Sequence, residues 1–326
     1  MITIREVAFS DLDPAEVVAL FHRVQPDFAL TAEEFRSWES ARPARLRSWW
    51  IAATVQDRLL GLGSIAQPMY SDREDTCVLR IHVDPDLRRR GTGRALHDML
   101  MSRAAVLDPA EVIVNVLGDQ REALGFLERR GYAIVLRSPK VKLDLAGFDT
   151  NDWDAARGRV DAAGFERIDF ARWIARRGDE TAHRELHALE ADITGDVPHP
   201  DGHPIVLPGY DEWRTMLSAF PGFRPDGYRL AVAPDDTLAG VSMVWPGQSG
   251  GVAETGFTGV RRSWRRRGVA IALKADAAEW ARSIGATALR TENAEENAGM
   301  RAINAALGFA EIPPVLTLRK HLRDPR

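Results

Sequence analysis

Two short basic stretches containing glycine hold the residues of this chain best suited to chemistry. The first reads Val83, Asp84, Pro85, Asp86, Leu87, Arg88, Arg89, Arg90, Gly91, Thr92, Gly93, Arg94. The second reads Val260, Arg261, Arg262, Ser263, Trp264, Arg265, Arg266, Arg267, Gly268, Val269, Ala270. A strand that turns through glycine into a helix N-terminus leaves several main-chain N–H groups unpaired and pointing one way, and the helix dipole strengthens their pull on an anion. Gly91, Gly93 and Gly268 allow close approach of the backbone because no Cβ intervenes. Arg88 and Arg265 are expected to add formal charge. The chemistry this suggests is the holding of a pyrophosphate.

Neither stretch is a Walker A loop, which requires Gly-Lys-Ser/Thr, and neither has the three spaced glycines of a dinucleotide fold. One copy alone would also suit a solvated basic turn capping a helix. The two copies, however, lie 177 positions apart (Val83 to Val260, Gly91 to Gly268), and each glycine is followed 40 residues later by a Gly-aromatic pair, Gly131-Tyr132 and Gly308-Phe309. Four landmarks with one offset mark a duplicated module.

The elements that must position these turns follow one order in both halves. Residues 49–55 and 59–65, around Gln56-Asp57-Arg58, read as a β-hairpin, as do 228–233 and 238–245 around Pro234-Asp235-Asp236. A further strand leads into each turn (77–83; about 253–260). The helices that follow (94–107; 269–284) are amphipathic, with Leu96, Met99 and Leu100 in one and Ile271, Leu273, Ala277 and Trp280 in the other. Each half then has a short strand (112–116; 288–291), a helix ending at Gly131 or Gly308 as a left-handed C-cap, and a final strand. Residues 138–170 join the halves, with a helix over 153–163 and a strand over 165–169. The expected domains are 1–145, a connecting helix and linker 146–164, and 165–326. An acidic helix (185–192) and a Pro/His/Gly-rich loop precede Tyr210.

The totals narrow the classes. A chain of 326 residues is about two domains long, and 45% apolar with 28% charged residues is a globular rather than a disordered balance. The single cysteine, Cys77, excludes an internal disulfide framework, suits a reducing compartment, and reads as a buried inert thiol. With no signal pattern or membrane-length apolar run, a cytoplasmic protein without a membrane partner is expected. A net charge of −4, with its basic residues gathered at Arg88–Arg90 and Arg261–Arg267, points to a small anionic ligand rather than nucleic acid. Pro198, Pro200 and Pro204 deny His199 and His203 a helical metal pair, and no metal is expected.

Through these residues the chain resembles the GNAT superfamily of acyl-CoA-dependent N-acyltransferases, with two domains in tandem. The first basic stretch looks like the superfamily's pyrophosphate motif. The second half resembles one group of tandem members through Thr258-Gly259-Val260, Arg267-Gly268, Ala270, Leu273-Lys274, and the run Arg290, Thr291, Asn293, Asn297, Met300, Ile303, Asn304, Leu307, Gly308, Phe309. The resemblance covers about 2–140 and 165–320. It implies an α/β (α+β) fold of two domains, each a mixed, mostly antiparallel sheet flanked by helices. It also implies acetyl-CoA as the cofactor. Its diphosphate would lie on Val83, Arg88, Arg89, Arg90, Gly91, Thr92, Gly93 and Arg94 in one half, and on Val260, Arg265, Arg266, Arg267, Gly268, Val269 and Ala270 in the other, with Asn297 and Asn304 as further contacts. The pantetheine arm would pair with the strand leading into Val83 or Val260.

Transfer to an amine demands more. With a pKa near 10.4, only about one amine in 2,500 is neutral at pH 7, so a proton acceptor, correct positioning and an oxyanion donor are required. Glu254 is the candidate base, and by simple alternation it would share a sheet face with Gly256, Thr258 and Val260; it also reads as a plain strand-end carboxylate. Thr258 and Asn293 complete the candidate catalytic set, Thr258 doubling as a simple β-former. Asn293, Asn297 and Asn304 also suit capping. Asp192 and Asp196 suit either a cationic substrate or caps and turns. The superfamily's leaving-group tyrosine, four residues before the Gly-aromatic pair, is replaced by Leu127 and Asn304. Gln120 stands in the first half where the second has Asn297, so the second half keeps more polar equipment and is expected to be catalytic.

The leading expectation is an N-acetyltransferase acting on a primary amine of a small molecule by direct attack in a ternary complex, as a monomer or homodimer. Mycothiol synthase-like acetyl transfer and a coenzyme A-binding pseudoenzyme or sensor stand beside it.

Overall fold

The computed structural model describes residues 2–25, 31–69, 71, 73, 75–196, 206–220, 222–247, 251–293 and 295–323; His199 and His203 lie outside them. The chain forms two compact units, Met1–Leu136 with Val315–Arg326, and Arg137–Pro314. The sequence divided it at 145 and 165.

The first unit contains β1 (Thr3–Val7), α1 (Pro14–Val24), α2 (Ala32–Ser40), β2 (Ser48–Val55), β3 (Arg58–Ala66), β4 (Thr76–Val83), α3 (Thr92–Ala104), β5 (Glu111–Leu117) and α4 (Arg121–Glu128). Its sheet runs β1-β2-β3-β4-β5 and is completed by the end of β12 (Ala310–His321). β12 pairs antiparallel with β5 from Val315↔Leu117 to His321↔Glu111. The expected hairpin turn is tighter than the sequence suggested: Gln56 and Asp57 both take positive φ, 50° and 62°, the two-residue turn whose twist matches the strands, and Arg58 already belongs to β3. One sheet face carries α3 and α4 through Leu96, Leu100 and Leu127. The other carries α1 and α2 through Val17, Leu20, Phe21 and Phe35.

The second unit contains most of β6 (Ala133–Asp144), then α5 (Asp154–Ala162), β7 (Glu166–Asp169), α6 (Phe170–Arg177), α7 (Asp179–Thr194), α8 (Tyr210–Ala219), β8 (Tyr228–Val232), β9 (Leu238–Pro246), β10 (Val252–Val260), α9 (Val269–Ser283), β11 (Ala288–Glu292) and α10 (Ala298–Ala306). Its sheet order is β6-β11-β10-β9-β8-β7. The acidic stretch 185–192 lies inside α7. Helices α9 and α10 cover one face through Ala275, Ala278 and Ile303, with Leu307 and Phe309 just after α10; α6, α7 and α8 cover the other through Trp173, Leu189, Ile193 and Trp213. Both sheets are mixed and mostly antiparallel, as expected.

The final strand expected after each Gly-aromatic pair is present in both halves, but each one pairs in the opposite unit. Residues 140–144 of β6 pair antiparallel with β11, Lys140↔Glu292 to Asp144↔Ala288, while the end of β12 serves the first unit. The sequence read 138–144 as joining chain. Val141, Leu143 and Leu145 alternate into the second unit's core, and the strand partner that makes this alternation useful is more than 140 residues away.

Helix α9 is anchored by a buried ion cluster. Asp276 (7% exposed) pairs with Arg157 of α5 at 2.8 Å and with Arg167 of β7 at 2.6 Å. Removing one member of such a cluster strands the buried charges left behind, at a cost of about 3–5 kcal/mol. Asp276→Ala is therefore expected to lower the second unit's stability by about that amount, read from its urea unfolding midpoint.

Candidate active site

In the second unit, β10 and β11 run parallel and pair only at Val252↔Ala288, Ala253↔Leu289 and Glu254↔Arg290. β10 then continues to Val260, still paired with β9 on its other edge. Among the described residues, the edge of β10 that faced β11 is thus left without a strand partner from Thr255 to Val260. The first unit repeats this wedge: β4 and β5 pair at Thr76↔Glu111, Cys77↔Val112 and Val78↔Ile113 only. An open strand edge offers its N–H and C=O groups to an extended ligand.

The two turns beyond the wedges have one backbone shape. Arg89 and Gly91 take φ of 62° and 85°, and Arg266 and Gly268 take 63° and 81°. Alternation of this kind turns successive amides toward a common point. Gly91 and Gly268 are the N-caps of α3 and α9, with no side-chain cap and no acid in either first turn, so the leading amides face outward without an internal acceptor. Thr92 and Val269 are buried. Arg90, Arg94, Arg266 and Arg267 are exposed, Arg267 stacking over Trp264 at 5.0 Å, and Gly93 and Ala270 are half-buried.

Arg88 and Arg265 do more than supply charge. Arg88 Nε donates to the Val83 carbonyl at 3.3 Å and Arg265 Nε to the Val260 carbonyl at 2.9 Å, so each braces its turn against the last residue of its strand. Asp192 pairs with Arg261 at 3.1 Å. Asp196 takes Arg262 Nε at 3.0 Å and also pairs with Arg265; the two guanidiniums hold its carboxyl down at about 2. These acids serve the turn, and much of the basic stretch is neutralised within the chain.

One expectation about the strand needs correction. Thr255 pairs with Val244, and the next pair is Phe257 with Met243, so Gly256 is an extra residue in a β-bulge. The bulge inverts the alternation: Glu254, Phe257 and Gly259 share one face, and Thr255, Thr258 and Val260 the other. Glu254 therefore does not share a face with Thr258. A Cβ on Gly256 would lie 1.9 Å from the Trp245 ring, and one on Gly259 would lie 2.8 Å from Ile193 Cδ1, which places Glu254's face under α7. Thr258 hydrogen-bonds Ser242 (2.8 Å) on the α9 side.

Glu254 is engaged by Arg290, whose Nε lies 2.7 Å from Oε1. Two residues further along β11, on the same face, stands Glu292, which sequence reading did not single out. It keeps solvent access, yet surrounding protein raises its carboxyl above the usual range; Lys140 opposes that rise and Glu254 adds to it. A second acid also went unnoticed within the acidic helix. Glu190 is 8% exposed, accepts from Trp213 Nε1 at 3.0 Å, and is pushed up to about 8 by burial, against the pull of that hydrogen bond.

The asparagines form a small scaffold. Asn297 caps α10 by accepting from the Met300 amide at 3.2 Å, whereas Gln120 at the start of α4 makes no side-chain cap. Asn304 Nδ2 donates to Asn293 Oδ1 at 2.7 Å. Leu127 is core. Cys77 is fully buried, burial pushing its thiol up to about 11, as an inert thiol requires.

This geometry agrees with the comparisons. The model of the Acetyltransferase (GNAT) family matches residues 15–132 and 186–309. That is well over half of the chain, and the protein belongs to this family. The fold is similar to that of a tandem GNAT protein from the clavulanic acid biosynthesis pathway (TM-score 0.74, 18% identity, all of both chains covered). It is also similar to a GCN5-related N-acetyltransferase from Sphaerobacter thermophilus (0.67, 18%, covering 100% of this chain and 97% of that one). No curated protein matches the chain. Among the described residues, no cluster suited to a metal occurs, and no helix is long and apolar enough to cross a membrane.

The left-handed caps set a simple expectation. Alanine at Gly91 meets nothing within 4 Å and at Gly268 only Val160 at an ordinary 3.7 Å contact, so its cost comes from φ alone, about 1–2 kcal/mol. Gly91→Ala and Gly268→Ala should each lower the urea midpoint by that much, and a loss above 3 kcal/mol would show that the turns carry more strain than their φ angles indicate.

Proposed function

We propose that the second unit transfers an acyl group, acetyl foremost, from coenzyme A to a primary amine of a small molecule, by direct attack within a ternary complex. The observation that carries this reading is the wedge between β10 and β11, with a bulge at its apex and Glu292 just beyond. The residues present suit the carrier. Its diphosphate fits the outward amides of Arg265–Ala270, with Arg266 and Arg267 alongside, and its amide-bearing arm fits the open edge of Thr255–Val260. Coenzyme A supplies the activated thioester carbonyl.

The chain's own groups do the rest. The bulge turns main-chain N–H groups of β10 toward the wedge, where a developing oxyanion needs donors. Glu292 takes the amine's proton: it makes no ion pair or hydrogen bond among the described residues, and its raised proton affinity suits a base working near neutrality. Glu254, the base expected from the sequence, is occupied by Arg290 and acts instead on Glu292, where its charge favours proton uptake. Asn293 and Thr258 hold the two walls of the wedge in place. The first unit keeps the turn and the wedge without the bulge, and is assigned coenzyme binding without catalysis.

The test is thiol release from acetyl-CoA with a panel of primary amines. A base must be unprotonated to act, so kcat/KM should rise with pH through a pKa above the ordinary carboxylate range. Glu292→Gln should remove that limb and lower kcat/KM by about 10²–10⁴-fold. Binding of acetyl-CoA with no thiol release for any amine would point instead to a coenzyme-binding sensor.

A further inference from the structure

Three polar side chains on the α9 side of the wedge are buried without the partners that buried polar groups ordinarily have. Thr255, at the bulge, is 8% exposed and its Oγ1 has no hydrogen-bond partner. Asn304 is 3% exposed; its Nδ2 is used by Asn293, immediately beyond β11, but its Oδ1 has no partner. Lys274, in the second turn of α9, is 2% exposed and makes no hydrogen bond or ion pair among the described residues. Its ammonium lies 5.3 Å from the centre of the Phe309 ring, and the Phe309 amide donates to the Asn304 carbonyl at 3.0 Å. Burial alone lowers the Lys274 pKa to about 7, with no charged neighbour contributing; the nearby charges of Arg157 and Asp276 are spent on each other.

A hydroxyl, an amide oxygen and an ammonium left unpaired on the α9 side of the wedge suit a ligand with both a donor and an anionic or easily polarised acceptor. The sulfur end of the carrier has both: an amide N–H in its arm and, after transfer, a thiolate. We infer that Thr255, Lys274 and Asn304 receive this sulfur end, and that the Lys274 ammonium stabilises the departing thiolate. The inference rests on the acyl-transfer reading above. As the amine nitrogen bonds to the carbonyl carbon, the C–S bond breaks and sulfur leaves with the electron pair. The sulfur is held as thiolate beside the Lys274 ammonium, while Glu292 holds the proton lost by the amine. Lys274 thereby stabilises the leaving group in a half that has asparagine at the tyrosine position.

The test reads the thiol itself. The full chain is loaded with coenzyme A, and thiolate is followed by its ultraviolet absorbance as pH is raised. An ammonium beside the sulfur favours the thiolate, so a bound population should reach a given thiolate fraction at least one pH unit below free coenzyme A, a tenfold change in the thiolate-to-thiol ratio. Lys274→Met, which replaces a buried ammonium by an apolar chain of similar length and so keeps the core filled, should bind coenzyme A and lose the shift. Asn304→Leu should keep the shift and weaken binding. Bound coenzyme A that titrates like the free thiol in the unaltered protein, or a shift that survives Lys274→Met, overturns the inference and leaves the acyl-transfer reading standing. Calorimetry showing no coenzyme A binding at all removes both.

Discussion

The arrangement depends on a pair of parallel strands that stop pairing after three residues. Main-chain groups on a strand edge need partners, and β10 keeps all of its own on the β9 side while leaving the other side open beyond Glu254. Holding that wedge apart takes structure on every side. Arg265 fastens the turn to the end of β10, Asp276 ties α9 to α5 and β7, and the pairing of β6 with β11 holds the second wall from behind. The ion cluster and the β6–β11 pairing join residues far apart in sequence, and with the local brace of Arg265 they fix an opening that no local preference would produce.

The two units build the same turn and wedge and equip them differently. In the first, β4 pairs with β3 in unbroken register from Val78 to Val83, Gln120 leaves α4 without a side-chain cap, and the corresponding helix position is an apolar Leu127. In the second, a bulge bends β10 at the apex, Asn297 caps α10, and Glu292 at the end of β11 has a raised carboxyl. The turn keeps one backbone conformation in both copies, while the bulge, the asparagine cap and the raised carboxyl of Glu292 belong to the second.

Burying polar atoms without partners costs stability, and conflicts between local energetics and the fold tend to mark functional sites. Lys274 illustrates this. Its ammonium lies over the ring of Phe309, whereas Arg157, also buried, and the half-buried Arg167 are matched by Asp276. The chain satisfies buried charge where it needs rigidity and leaves it unsatisfied beside the wedge. Arg261, Arg262 and Arg265 of the second turn are likewise answered by Asp192 and Asp196, while Arg266 and Arg267 stay exposed.

Much of this was legible in the sequence because its causes are local. The Arg-Gly turns, the left-handed glycines at Gly131 and Gly308, the hairpins, the buried Cys77 and the repeat at a fixed offset all follow from preferences expressed within a few residues. Other features were settled by contacts between distant segments. One extra residue at Gly256 moved Glu254 to the opposite face from Thr258, since strand alternation has a period of two and a single insertion reverses it. Arg290 took up Glu254, and the raised affinity of Glu292 came from the surrounding protein, with Glu254 of the neighbouring strand adding to it. The last strand of each half found its partner in the other unit. Sequence by itself determined the two Arg-Gly turns and their shared setting, because residue type and short spacing are enough to make such a turn; only the tertiary structure decided which carboxylate an arginine takes up and which ammonium is left without a partner, because burial and partnership depend on segments that meet only when the chain is folded.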